Sequence, residues 1–323
     1  MPPSWSPYRW LSPDGRPGRL SIFIFHRVLP RPDPLLPGEP DAEHFDRIVG
    51  FIGRHFTVLG LADAAAKLSA GRLPAAAACI TFDDGYADNR TVAAPILRRH
   101  GATATFFVAS GFVDGGRMFN DTVIEAVRRL PAAEFDIRDM GLGVHVIDDV
   151  ASRVRTYADL LNRLKYLEPS ERLQQAAEIA RRAGLTERCE LMMTRRQVVE
   201  LADMGMEIGA HTVHHPILRS VDAARAAQEI VDSREVLGGW LGKAPTVFAY
   251  PNGVPGVDYT ERDVELVRRA GFECAVSTAR GAAGTGSDVF QLPRFTPWDR
   301  TLPRFALRCA QTLLKPKFSV APA

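Results

Sequence analysis

The strongest constraint on the fold is an alternation. Short apolar runs at 21–25 (SIFIF), 79–82, 103–108, 206–210, 246–250 and 274–277 read as buried strands. Helical patterns lie between them. Phe45, Ile48, Val49 and Ile52 recur at helical spacing, as do residues in 87–100 and 222–237. In the last of these Ala223, Ala226, Ala227 and Ile230 share one face, with Asp222 placed as N-cap. Strands alternating with helices predict an α/β fold with a parallel sheet, open or closed. Barrels of this class use about 323 residues as one domain, so residues 1–323 are expected to form a single domain. The rhythm breaks at about 112–190, where helical patterns at 121–129, 154–167 and 170–183 follow one another without a βαβ repeat. This segment reads as a helical insertion on one face of the barrel.

Several function classes are disfavoured by composition. Forty basic against 38 acidic residues leave a formal charge of only +2, with no basic footprint for a nucleic acid. Cys79, Cys189, Cys274 and Cys309 are far apart, so no thiol redox or zinc-thiolate motif is present. The first 20 residues have neither the apolar core nor the cleavage site of a secretory signal, and no run is long enough to span a membrane; a cytoplasmic location is the expectation. The stretch 302–318 mixes Arg304, Arg308, Lys315 and Lys317 with Phe305, Leu307, Leu313 and Leu314. It is expected to pack on the barrel, with contact to an anionic membrane surface as the alternative.

Chemistry concentrates where strands should end, which is where α/β folds bind ligands. Four such stretches are TFDDGY (81–86), HTVHHP (211–216), FAYPNG (248–253) and FHRVLP (25–30). His211 and His215 are four apart, a spacing that on one helical turn puts both imidazoles on the same side. With Asp84 as carboxylate they make a His-His-carboxylate set of the kind that holds catalytic zinc. His214, three residues from His211, is a local competitor. Adjacent carboxylates leaving a strand point in different directions, so one can hold a metal while its neighbour takes a proton from water. Asp83-Asp84-Gly85 is equally an ordinary turn, and on its own the stretch does not choose.

In combination and in this order, TFDDGY, HTVHHP and FAYPNG resemble the polysaccharide deacetylase family, carbohydrate esterase family 4, with its NodB-homology domain. The resemblance runs from about residue 21 to 294, and LADMGMEIGAHT and EIVDSREVLGGWLG extend it. It implies a distorted (β/α)7 barrel. It also implies metal-dependent hydrolysis of N-acetyl or O-acetyl groups on sugar units of a polysaccharide or its precursor, with an N-acetylhexosamine-containing substrate. The implied cofactor is a divalent metal, zinc first, with cobalt, nickel, iron or manganese as alternatives. By the family pattern Asp83 is the general base and Asp84, His211 and His215 are the metal ligands. Asn252 or its immediate neighbour is placed where a backbone N–H meets the oxyanion, and Gly253 permits close approach.

Two positions depart from the commonest family form: Ala249 stands where an arginine opens the third motif, and 291–294 (QLPR) lacks the late histidine that serves as general acid. An exopolysaccharide-deacetylase subgroup has an early histidine that Phe25-His26-Arg27-Val28 is similar to. First and last strands of a closed barrel are neighbours, so His26 is the expected general acid and Arg294 the guanidinium that orients Asp83. Tyr86, Trp298 and residues 119–121 are candidates for contact with a sugar. Two other readings stay in play: hydrolysis of a non-sugar amide or cyclic imide, and a carbohydrate-binding pseudoenzyme.

Overall fold

Residues 6–185, 190–297, 299–314 and 320 are described by the computed structural model. Cys189, Trp298, Lys315 and Lys317 lie outside them. In chain order the elements are α1 (Pro7–Leu11), β1 (Ser21–Phe25), α2 (Ala42–His55), β2 (Thr57–Val58), α3 (Leu61–Ser69), β3 (Ala77–Phe82), α4 (Ala94–Arg99) and β4 (Thr105–Val108). Next come α5 (Phe119–Arg129), β5 (Ala133–Asp136), β6 (Val144–Ile147), α6 (Val150–Leu164) and α7 (Pro169–Arg182). The chain continues through α8 (Arg195–Asp203), β7 (Glu207–Ala210), α9 (Ala223–Leu241), β8 (Val247–Ala249), α10 (Glu261–Arg269), β9 (Cys274–Arg280), β10 (Leu292–Arg294) and α11 (Leu302–Leu314).

The main sheet runs β1-β3-β4-β7-β8-β9-β10, with β2 beside β3, and its pairings are parallel. Its far edge returns to its start: Phe295 N–H donates to Ile22 O at 2.7 Å and Ile24 N–H to Phe295 O at 3.1 Å. The result is a seven-stranded (β/α) barrel. Strands β1 and β3 are buried at every position, as expected for parallel strands covered on both faces. Along β3, Ala78, Ile80 and Phe82 join one apolar cluster while Ala77 and Cys79 join another. Successive side chains therefore serve opposite faces, and the parity carries Thr81 and then Asp83 to the side of Ala77 and Cys79.

Helix boundaries shift from expectation by up to four residues, as where the helix expected over 154–167 spans Val150–Leu164 and that expected over 222–237 runs on to Leu241, and one helix differs in kind. In the helix expected over 87–100, a π-helical turn, Asn89–Ala93, interrupts the path between the helical residues 87–88 and the α-helix Ala94–Arg99. Pro95, which has no N–H to donate, sits in the first turn of that α-helix. At the other end of the chain, α11 buries Phe305, Cys309 and Leu313, and Tyr8 donates its hydroxyl to Ala306 O at 2.9 Å, so this helix packs on its neighbours. Among the described residues no helix is long and apolar enough to cross a membrane.

Contacts divide the chain into two compact units. Pro32–Pro37 and Gly115–Leu191 form the second, and the barrel and its helices form the first. Val123, Val127, Phe135, Ile147, Leu160 and Ile179 are part of a separate apolar core within the second unit. Arg128 ties its two segments together by pairing with Asp33 at 2.6 Å. Besides the three expected helices this unit holds an antiparallel pair, β5 and β6, with Phe135 opposite His145. Four residues each, these strands are too short for a periodic signal.

Candidate active site

The TFDDGY stretch begins where β3 ends. Asp83 N–H still donates to Phe25 O at 3.0 Å, after which the chain turns: Asp84 has φ +77° and Gly85 φ +94°. A side chain at Gly85 would be strained at that φ and would put Cβ 3.2 Å from Val108 Cγ1. The turn separates the two carboxylates, so the turn reading and the site reading describe one geometry.

Asp83 faces a guanidinium. Arg294 Nη1 donates to Asp83 Oδ1 and Nη2 to Oδ2, both at 2.7 Å, while Nε donates to Ser277 O at 2.8 Å. Both side chains are almost fully buried. Burial alone would raise the Asp83 carboxyl. The charge and hydrogen bonds of Arg294, with His211 and His26 nearby, outweigh it and hold the group below its ordinary value.

Asp84 faces two imidazoles. Its Oδ1 lies 3.5 Å from Nε2 of both His211 and His215, and one donor atom from each of the three residues lies within 4.8 Å of the others. Such a separation is long for a hydrogen bond. It suits donors that share an ion, since two atoms each about 2.1 Å from one metal at a tetrahedral angle sit roughly 3.4 Å apart. His211 Nδ1 is 2.7 Å from Ala249 O, a pure acceptor, so Nδ1 carries the proton and the Nε2 lone pair is left for an ion shared with Asp84 and His215. Burial pushes the Asp84 carboxyl up, but His211, His215 and His26 hold it well below the usual carboxylate range. His211 is shifted the other way: burial lowers it, and Asp84 and Asp83 more than restore it. Two imidazoles and a carboxylate, one imidazole braced by a carbonyl, fit a divalent ion of zinc type.

The backbone that joins the histidines is not the helical turn that their spacing suggested. Residues 211–215 form a loop with Thr212 at φ +63° and His215 at φ +53°, and the two rings sit 4.7 Å apart between centroids. His214 is turned away, with Nδ1 2.9 Å from Glu229 Oε1, and is not among the clustered ligands.

His26 follows β1 directly and is partly exposed. Its charge acts on both Asp83 and Asp84. Its carbonyl accepts from Asn89 Nδ2 at 2.8 Å, and the next residue, Arg27, pairs with buried Asp88 at 2.8 Å. Asn252 lies three residues beyond Ala249 in a tight loop, at φ +59°. Thr278 Oγ1 donates to Asn252 O at 2.9 Å, and Thr278 N–H to Gly253 O at 2.8 Å. Tyr86 is 3% exposed, with the Arg27 guanidinium 4.8 Å over its ring. Of the 119–121 stretch, Phe119 lies 4.5 Å beneath the Arg172 guanidinium in the second unit. Reading the sequence missed Glu229, Asp88 and the Ala249 carbonyl; the available signal was an acid at 229 set into the apolar stripe of Ala226, Ile230 and Leu237.

With this geometry in place, comparison with known proteins is informative. The Bacillus subtilis (strain 168) protein YxkH, named as a candidate polysaccharide deacetylase, is 20% identical over 286 residues, covering 88% of this chain and 73% of its own. Among solved structures, the Streptococcus pyogenes deacetylase PplD in complex with acetate superposes with a TM-score of 0.62 at 20% identity, covering 92% of this chain and 99% of that one. IcaB from Ammonifex degensii gives a TM-score of 0.57 at 18% identity, with 94% and 99% covered. These likenesses establish the fold. The model of the family described as polysaccharide deacetylase matches residues 70–275, well over half of the sequence, and the chain belongs to that family.

Proposed function

We propose that this protein is a divalent-metal-dependent deacetylase that removes acetyl groups from N-acetylhexosamine units of a polysaccharide or its precursor. One observation carries the reading: two adjacent buried carboxylates face different partners, Asp83 a guanidinium and Asp84 a pair of imidazoles. A fold element alone has no need of that division. PplD, which shares the fold, was solved with acetate, the product such a reaction releases.

Asp84, His211 and His215 would hold the ion, zinc by donor type, with cobalt, nickel, iron or manganese accepted by the same set. When bound, a divalent ion supplies Lewis acidity to the acetyl carbonyl and to the attacking water. Asp83 accepts the proton of that water at a carboxylate oxygen, and Arg294 keeps the carboxylate ionised and aimed. The Asn252 N–H donates to the oxygen that becomes negative as the carbonyl is attacked. His26, next after β1 and near enough to both carboxylates to act on them electrostatically, donates a proton to the departing amine.

The test is acetate release from N-acetylglucosamine oligomers by purified protein, after chelation and after readdition of each divalent ion. Activity that vanishes with chelation and returns with metal is the expected result. Ring opening of small ureides without acetate release would move the substrate class, and sugar binding without turnover under any metal would make the protein a binding module.

A further inference from the structure

The loop that carries His211 and His215 is held in an unfavourable backbone conformation, since Thr212 and His215 are both non-glycine residues in the left-handed region. Something must over-determine it. On one side, Ser110 N–H donates to Thr212 O at 3.2 Å and Gly111 N–H to Val213 O at 2.9 Å; a Cβ at Gly111 would come within 2.8 Å of that oxygen. On the other side stands Glu229 of α9, only 2% exposed. Its Oε2 accepts from Val213 N–H at 3.0 Å and His214 N–H at 2.8 Å. Its Oε1 accepts from the His214 ring at 2.9 Å and from Arg225 Nη2 at 2.7 Å.

A carboxylate is costly to bury, and this one is satisfied largely by two successive backbone N–H groups of the loop between the two ligand histidines. It does a second thing. By engaging the His214 ring it turns outward the one other imidazole close enough in sequence to compete for the ion, and that side chain is 58% exposed.

We propose that Glu229 is a positioning residue for the metal site, fixing the 211–215 loop so that His211 and His215, and not His214, face Asp84. This rests on the metal-site reading above. Because Glu229 does not face the cluster itself, it acts through the shape of the loop.

The experiment is Zn2+ affinity by competition with a chromophoric chelator, together with the visible absorption of the Co2+ form, on wild type and four variants. Glu229→Ala is expected to bind Zn2+ about 10- to 100-fold more weakly and to alter the Co2+ band. Glu229→Gln keeps an oxygen for the two backbone N–H groups and is expected to recover most of the affinity. Ile230→Ala, a fully buried neighbour on the same helix, is expected to lower thermal stability while leaving affinity within about threefold, since its side chain offers no hydrogen bond to the 211–215 loop. His214→Ala should likewise leave affinity within about threefold. Glu229→Ala binding like wild type, Glu229→Gln failing as badly as Ala, Ile230→Ala weakening the metal equally, or His214→Ala losing the metal would each overturn the proposal. If wild type itself binds neither ion, the metal-site reading falls first and this inference with it.

Discussion

Two corners of one site are built by different physics. At the Asp83 corner a buried charge is balanced side chain to side chain, by an arginine 211 residues further along the chain that the closing of the barrel brings alongside. At the His211–His215 corner the difficulty is backbone conformation, and it is met by a carboxylate 15 or 16 residues away on the next helix and by a glycine on the other flank. The first corner should therefore respond to charge and pH. The second should respond to shape.

The largest expected effect lies at the first corner. Asp83→Asn keeps the size and loses the base, and is expected to cut turnover by about 10²- to 10⁴-fold while metal content is unchanged. Near-normal turnover in that variant would remove Asp83 from the mechanism.

Next comes Arg294→Met, which leaves the Asp83 carboxylate buried without its partner. A loss of about 3–5 kcal/mol of folding stability is expected at neutral pH, read from denaturant unfolding in the presence of chelator. The pH dependence has a definite sign. In wild type the folded-state carboxyl is held below its ordinary value, so the pairing contributes stability that is present above the unfolded pKa and is lost as pH falls through the lower folded value. In the variant only burial remains, the carboxyl is raised, and folding opposes its ionisation. The gap between variant and wild type is thus widest at neutral pH, begins to narrow as pH falls through the variant's raised carboxyl value, which lies above about 4, and goes on narrowing below about 4 as the wild-type contribution is lost. A gap that stays constant over that range would show that Asp83 charge is not what Arg294 balances.

His26→Ala tests the second proton-transfer role and should lower turnover by about 10²-fold, with metal retained. Parent-level turnover in this variant would assign proton donation to another group. The smallest effect is expected at the second corner: Gly111→Ala forces Val213 O aside and should cost about 1–3 kcal/mol, with a weakened metal site. Unchanged metal affinity there would mean that the loop holds its shape without that flank.

What the sequence made legible follows the same division. The strand and helix alternation gives the barrel because each strand is a contiguous apolar run, and TFDDGY and HTVHHP stand out because each gathers its functional groups within a few residues of one strand end. Arg294 became readable through topology, as last and first strands must meet. The loop geometry did not, because a four-residue spacing is the same whether the backbone is a helical turn or a pair of left-handed residues, and only the second is present. Backbone acceptors such as Ala249 O have no sequence signature at all. The burial of Tyr86 was hidden for a related reason, because a motif does not record how much of an aromatic ring the fold leaves exposed.

The central claim is that adjacent aspartates divide the work, and the most direct measurement is bound metal per chain in Asp83→Asn and Asp84→Asn purified side by side, with acetate release measured on both. The account predicts that Asp83→Asn carries a full equivalent of metal and is inactive, whereas Asp84→Asn carries little metal and is inactive. Equal metal content in the two variants, or loss of metal from Asp83→Asn alone, would contradict it.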